Sequence, residues 1–161
     1  SGQLEKNDLD DTNKVGVFIT LDSHHDQNNW EISNYIKIIS KLISYDVKIF
    51  INFSPSKLHF LEKIPKEISD SNKVLFTHNK NILEIMQIIN SCKFVVGNET
   101  GPICLGVSLK KEVHSICLPI HTKPESQIIS DKTIYYNAEK ESDETITIKI
   151  MNNLLRKFYK L

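Results

Sequence analysis

Short β-branched runs recur along this chain, each followed by a polar turn and then a helical stretch, and that alternation constrains the fold more than any other feature. Six runs qualify: Val15-Gly-Val-Phe-Ile-Thr20, Val47 to Phe53, Lys73 to Thr77, Phe94 to Val96, Val113 to Leu118 and Thr133 to Tyr136. From Glu31 to Tyr45, Ile32, Tyr35, Ile36, Ile39, Leu42 and Ile43 recur at helical spacing; from Asn81 to Ser91, Ile82, Ile85, Met86 and Ile89 do the same. A closing helix is expected over Ser142 to Tyr159, with Ile146, Ile150, Met151, Leu154, Leu155 and Phe158 in register. Ser142 would cap it, with Asp143 and Glu144 in its first turn and Arg156, Lys157 and Lys160 near its end. After the second run, Ser54-Pro55 predicts a short helix over Lys57 to Lys63, capped by Ser54.

Strands that alternate with helices predict an α/β fold, a Rossmann-like parallel sheet of about six strands with helices on both faces. The commonest order for six such strands is 3-2-1-4-5-6, which reverses its winding between strands one and four, and ligands bind at that switch point. The loops meeting there would be Leu21 to Asn29 and Gly97 to Pro102.

The second of these loops sits in Phe94-Val-Val-Gly-Asn-Glu-Thr-Gly-Pro-Ile-Cys-Leu-Gly106. Thr100 can cap the helix that follows, and Pro102 suits its first turn. Unpaired N–H groups and the dipole at such a helix start favour an anion, so the loop is a candidate phosphate site. Glu99 stands against phosphate alone, because a carboxylate there repels it unless the side chain faces away, toward the hydroxyls of a sugar. Cys104, one turn in, reads either as a nucleophile activated by the dipole or, with four times the weight, as a small residue packed under the loop.

The first loop has neither G-x-G-x-x-G nor G-x-x-x-x-G-K-[ST], which argues against ordinary dehydrogenases and P-loop ATPases. It offers Ser23, His24, His25, Asp26, Asn28 and Asn29 to a polar ligand, as a merely solvated loop would. Adjacent His24 and His25 with Asp26 lack further ligands at metal spacing, so no metal is expected. Trp30 serves the core or orders this loop with equal weight.

Composition sets the remaining bounds. The 161 residues suit one core, and 20 basic against 20 acidic residues give no field to recruit nucleic acid. Cys92, Cys104 and Cys117 cannot all pair and lack C-x-x-C spacing, which suits a reducing compartment. No apolar run approaches membrane-spanning length, and no signal peptide is evident at the start of the chain. Residues 1–14 are polar and acidic; they read as a disordered tag remnant or the cut end of an interdomain linker, leaving 15–161 as the domain.

Gly97-Asn-Glu-Thr-Gly-Pro-Ile-Cys-Leu-Gly-Val-Ser-Leu109 resembles the G-N-D-[ST]-G-P-x-H-[LI]-A-x-A-L signature of glycosyltransferase family 9, the ADP-heptose:lipopolysaccharide heptosyltransferases. Trp30-Glu31 is similar to the family's K-x-W-P-x-E, and the stretch Asn81 to Asn98 to the helix that leads into its signature. The resemblance covers the C-terminal half of a family member, from Val15 onward. It implies a GT-B enzyme in which this half binds a nucleotide-sugar donor, such as ADP-heptose, without a cofactor or metal. An N-terminal acceptor domain would supply the catalytic aspartate, so the isolated domain should bind without turnover. The whole enzyme would work in the bacterial cytoplasm, peripheral to the inner membrane, in lipopolysaccharide or surface polysaccharide synthesis.

By matched position, Thr100, Gly101 and Pro102 fall in the diphosphate-holding loop, Glu99 near the transferred sugar, Ser23 among hydroxyl residues after the first strand and Lys80 near the nucleobase segment. Departures accompany these matches. Asn28 replaces the lysine of K-x-W, Cys104 the signature histidine and Gly106 the small residue after it, and the proline of K-x-W-P is missing or replaced by Ile32. Loss of a phosphate-facing cation costs about 1.5–3 kcal/mol of charge-assisted hydrogen bonding. The alternatives are a degenerate, non-catalytic binding or scaffold module, and an unrelated nucleotide-binding α/β domain.

Overall fold

The computed structural model describes residues 14–22, 29–118 and 131–158. Six strands, β1 (Val15–Thr20), β2 (Val47–Asn52), β3 (Val74–Phe76), β4 (Phe94–Asn98), β5 (Glu112–Cys117) and β6 (Thr133–Asn137), form one sheet in the order β3-β2-β1-β4-β5-β6. Every neighbouring pair is parallel. The sheet is the α/β Rossmann-like arrangement expected from the alternation, with its reversal between β1 and β4.

The helices are α1 (Ile32–Leu42), the short α2 (Phe60–Lys63) and α3 (Lys66–Ser69), then α4 (Ile82–Ser91), α5 (Gly101–Ser108) and α6 (Asp143–Leu155). Alternating residues of each central strand feed opposite faces, as the twofold strand period requires. Val17, Ile19, Ile49, Ile51 and Val96 meet Tyr35, Ile38, Ile39 and Leu42 of α1 and Ile146, Ile150 and Leu154 of α6 in one core. Phe18, Phe50, Val95 and Val113 meet Ile85, Ile88 and Ile89 of α4 and Ile103 of α5 in the other. Each fully buried aliphatic or aromatic side chain here contributes roughly 1.5–3 kcal/mol.

Local signals hold at some helix ends and fail at others. The Ser142 hydroxyl accepts from Thr145 N–H at 3.1 Å and caps α6. Asn81 and Glu84 close a reciprocal capping box on α4. Ser54 does not cap the turn Pro55–Lys57, because its hydroxyl donates to Asp22 instead. The helix expected over Lys57 to Lys63 shrinks to this 3-10 turn and the single turn of α2. On α4, Ile82 is 62 % exposed, contrary to the expected apolar face. The helix begins at the carboxyl edge of the sheet, so its first turn overhangs the strands while Ile85, Ile88 and Ile89 face them.

Candidate functional site

β1 and β2 end on the polar residues Thr20 and Asn52, Thr77 follows β3 directly, and the three form a hydrogen-bonded row. Asn52 Nδ2 donates to Thr20 Oγ1 at 3.4 Å, and Thr77 Oγ1 donates to Asn52 Oδ1 at 2.8 Å. Two residues past β1, Asp22 is buried, and its Oδ2 accepts from the Ser54 hydroxyl at 2.5 Å and from Ser54 N–H at 3.1 Å. The His78 ring stacks on Phe53 at 4.7 Å between centroids and 7° between planes. Together with Lys80, Pro55, Thr100 and Pro102, these residues line one cavity of about 170 Å³. That volume holds a phosphate or a sugar ring, and is smaller than the 300–1,000 Å³ typical of whole-ligand pockets.

Thr100 brings the helix start into this wall. It is the residue before α5 and extended, as an N-cap should be, yet its hydroxyl makes no capping bond. Its Oγ1 is buried and finds no partner among the described residues, and the same holds for Nδ1 of His78. An orphaned polar atom in a cavity wall costs free energy that a polar ligand or water would recover. The expected cap at Thr100 is therefore corrected: the side chain is left available to the cavity. Close approach of β4 to β1 opens the same region. A Cβ on Gly97 would lie 2.3 Å from Thr20 Cγ2 and 2.8 Å from Thr20 O, so only glycine lets the two strands meet there.

The turn itself is shorter than the sequence suggested, because Gly97 and Asn98 belong to β4. Asn98 is fully buried and ties three elements together. Its Oδ1 accepts from Trp30 N–H at 3.1 Å and from the Tyr35 hydroxyl at 3.1 Å, while its Nδ2 donates to the Ile116 carbonyl at 3.3 Å. Burial drives the Tyr35 phenol far above its ordinary pKa, so it remains a donor. Of the two roles considered for Trp30, the structure shows the core one: the ring is buried edge-on to Tyr35, and its Nε1–H donates to Asp143 at 2.9 Å.

The residues singled out from sequence separate into groups. Lys80, Thr100 and Pro102 share the cavity. Gly101 is exposed beside it, and a Cβ there would meet nothing within 4 Å. Glu99 turns toward β5, where its Oε1 accepts from the Cys117 thiol at 3.3 Å, and its charge joins burial in raising the Tyr135 phenol. It does not line the cavity. Cys104 is exposed, which corrects the expectation of a residue packed under the loop; Ile103 and Gly106, three apart, take the inward positions. Gly106 allows that contact, since a Cβ would come 3.0 Å from Val95 Cγ2. Ser23, Asn28, His24, His25 and Asp26 lie outside the described residues. Among the described residues no three His, Cys, Asp or Glu side chains gather to hold a metal ion, and no helix is long and apolar enough to cross a membrane.

Asp22, Asn52, Ser54, Thr77, His78 and Asn98 were not anticipated as site residues. A signal was present: each is among the first polar residues after an apolar run, and the carboxyl ends of parallel strands are where such a sheet binds ligands.

Comparison with known proteins places this geometry. Residues 2–145 match the family model of glycosyltransferase family 9 (heptosyltransferase). The fold is similar to that of E. coli ADP-heptose lps heptosyltransferase II, with 12% identity and a TM-score of 0.74 over 96% of this chain and 53% of that one. It is similar to E. coli heptosyltransferase WaaC with ADP-2-deoxy-2-fluoro heptose, with 16% identity and a TM-score of 0.68 over 89% of this chain and 43% of that one. A glycosyl transferase family 9 protein from Veillonella parvula matches at 13% identity and a TM-score of 0.67, over 89% of this chain and 46% of that one. The chain thus spans about half the length of these structures, and at such identities the likeness establishes the fold. No curated protein sequence matches the chain.

Proposed function

The chain belongs to glycosyltransferase family 9 (heptosyltransferase), and from that premise we propose that it is the nucleotide-sugar donor-binding domain of an inverting, heptosyltransferase-like glycosyltransferase. The observation that carries the reading is the cavity at the β1–β4 switch point, with the orphaned Thr100 hydroxyl beside the start of α5. Helix N–H groups, this hydroxyl and the Lys80 ammonium suit the diphosphate of a nucleotide sugar. Related heptosyltransferase structures hold ADP and an ADP-heptose analogue, which makes an adenine nucleotide the first ligand to try. In this reading Glu99, facing β5 and β6, sits beside the transferred sugar. Ser23, Asn28, Gly101, Pro102 and Cys104 complete the donor-binding set by their places in the motif.

The acceptor and the general base are assigned to a second domain of the same enzyme, so the domain alone is expected to bind and not to transfer. The enzyme would serve lipopolysaccharide or surface polysaccharide synthesis at the inner face of a bacterial membrane, with no cofactor. Calorimetric titration with ADP, UDP and GDP tests the reading; saturable binding of one of them is the expected result. A second reading, a degenerate scaffold module, draws on Asp22, whose carboxylate lies in the same cavity wall and would repel a diphosphate. Binding of none of the three nucleotides by the folded chain would favour it.

A further inference from the structure

A second cleft lies at the opposite edge of the sheet, where β4, β5 and β6 begin. Its volume is about 510 Å³, and its lining includes Lys93, Lys110, Lys111, Lys132 and Lys157 against two carboxylates, Glu112 and Asp131. Among the described residues, five cations less two anions leave three positive charges in the lining, on a chain whose total is balanced. The lysines come from the starts of β4, β5 and β6 and from the residues after α6, so folding, and not a run of sequence, brings them together.

Two features shape the cluster. The Glu112 carboxylate is shared between the cleft, where Lys157 and Lys93 act on it through space, and the core: its Oε2 is 2.9 Å from Nε2 of His114, which is fully buried and bonded through Nδ1 to the Tyr136 hydroxyl at 2.7 Å. Asn153 Nδ2 donates to the same hydroxyl at 3.0 Å, so the row fixes Glu112 from the core side. The second feature is Lys110, which has φ 58, the left-handed region that glycine or asparagine ordinarily occupies after a helix. A lysine held there sets an exposed ammonium at the rim, in a conformation that other residues adopt more easily. Lys111 is anchored beside it, donating to the Asn90 carbonyl at 2.6 Å.

We infer that this cleft is an anion site for a ligand bearing more than one phosphate charge, separate from the donor cavity at the other end of the strands. Strands of this length set the two sites about 17–20 Å apart. Ammonium groups converging in a concave wall concentrate the field that recruits such an anion. The shared chemistry is phosphate, from either an anionic phospholipid headgroup or a soluble polyphosphate.

The test uses the full chain carrying Thr100→Glu, whose carboxylate repels phosphate from the donor cavity and isolates the cleft. Tripolyphosphate is titrated by calorimetry, and co-sedimentation is measured with phosphatidylglycerol vesicles and with phosphatidylcholine vesicles. Binding of tripolyphosphate alone identifies a soluble ligand; sedimentation with phosphatidylglycerol and not phosphatidylcholine identifies the headgroup. Either should weaken by at least about tenfold in the triple variant Lys93→Glu, Lys110→Glu, Lys157→Glu, and fall as salt is raised. A neutral triple Lys→Gln variant should lie between, and circular dichroism checks the fold of each. Binding unchanged in the folded triple variant, or no binding of either probe, would overturn the assignment.

Discussion

Replacing Asn98 with alanine removes a side chain that joins three elements in the interior, and its cost follows from what is left behind. Trp30 N–H and the Tyr35 hydroxyl both donate to Asn98 Oδ1 at 3.1 Å, in a region closed to solvent. Each orphaned buried donor costs about 1–3 kcal/mol, so the substitution should destabilise the domain by about 2–6 kcal/mol. Urea unfolding gives the number. With a slope of about 2–3 kcal/mol/M, the midpoint should fall by about 0.7–3 M. Trp30 is the single tryptophan, so its emission reports the same tie and should shift to longer wavelength in the folded variant. Tyr35→Phe removes one of the two donors, and the double variant should cost about 1–2 kcal/mol less than the sum of the singles, because no hydroxyl remains to be orphaned. A loss below about 1 kcal/mol for Asn98→Ala, with additive singles, would refute the tie.

Two further predictions concern groups whose protonation the fold controls. The Glu112 carboxyl is held below its ordinary range, first by the His114 hydrogen bond and then by His114, Lys157 and Lys93 through space. A depressed folded-state value stabilises the fold above the ordinary carboxylate range and loses that contribution as the pH falls through it. Glu112→Gln should therefore flatten the acid limb of the stability curve below about pH 4.5; an unchanged limb would contradict the assignment. Among the thiols, burial pushes Cys92 up to about 12, and Cys117 is buried, whereas Cys104 is exposed. A disulfide reagent at neutral pH should modify one thiol quickly in the native protein and lose that phase in Cys104→Ser; two fast thiols would count against the packing described.

Much of the sheet was legible because its signals are local and redundant. Runs such as Val47 to Phe53 have no polar alternation to suggest an exposed face, and the helices between them supply the crossover that parallel strands need. The reversal between β1 and β4 followed from the commonest order for such units, and the strand pairing agrees with it. Side-chain partners were less legible. Ser54 looks like a cap in sequence, but Asp22, a distant carboxylate, takes its hydroxyl. Thr100 looks like a cap for the same reason and makes no such bond. Asn98 sits inside the Gly97–Leu109 motif, yet its role depends on Trp30 and Tyr35, more than 60 residues away. Glu99 stands out in the sequence as a misfit beside phosphate, but its partner, the Cys117 thiol at the end of β5, is not legible there.

The central claim, that the switch-point cavity holds a nucleotide-sugar donor, is tested most directly by calorimetric titration of ADP into the wild-type chain, Gly101→Val and Thr100→Glu, whose carboxylate would repel the diphosphate. A Cβ at Gly101 meets no atom of the described residues within 4 Å, so a valine there should leave thermal stability unchanged while projecting beside the helix start, where the diphosphate is expected. The account predicts saturable binding to the wild type that disappears in both variants, each of them folded. Undiminished ADP binding in both variants would contradict it, as would the absence of binding by ADP, UDP and GDP to the folded wild type.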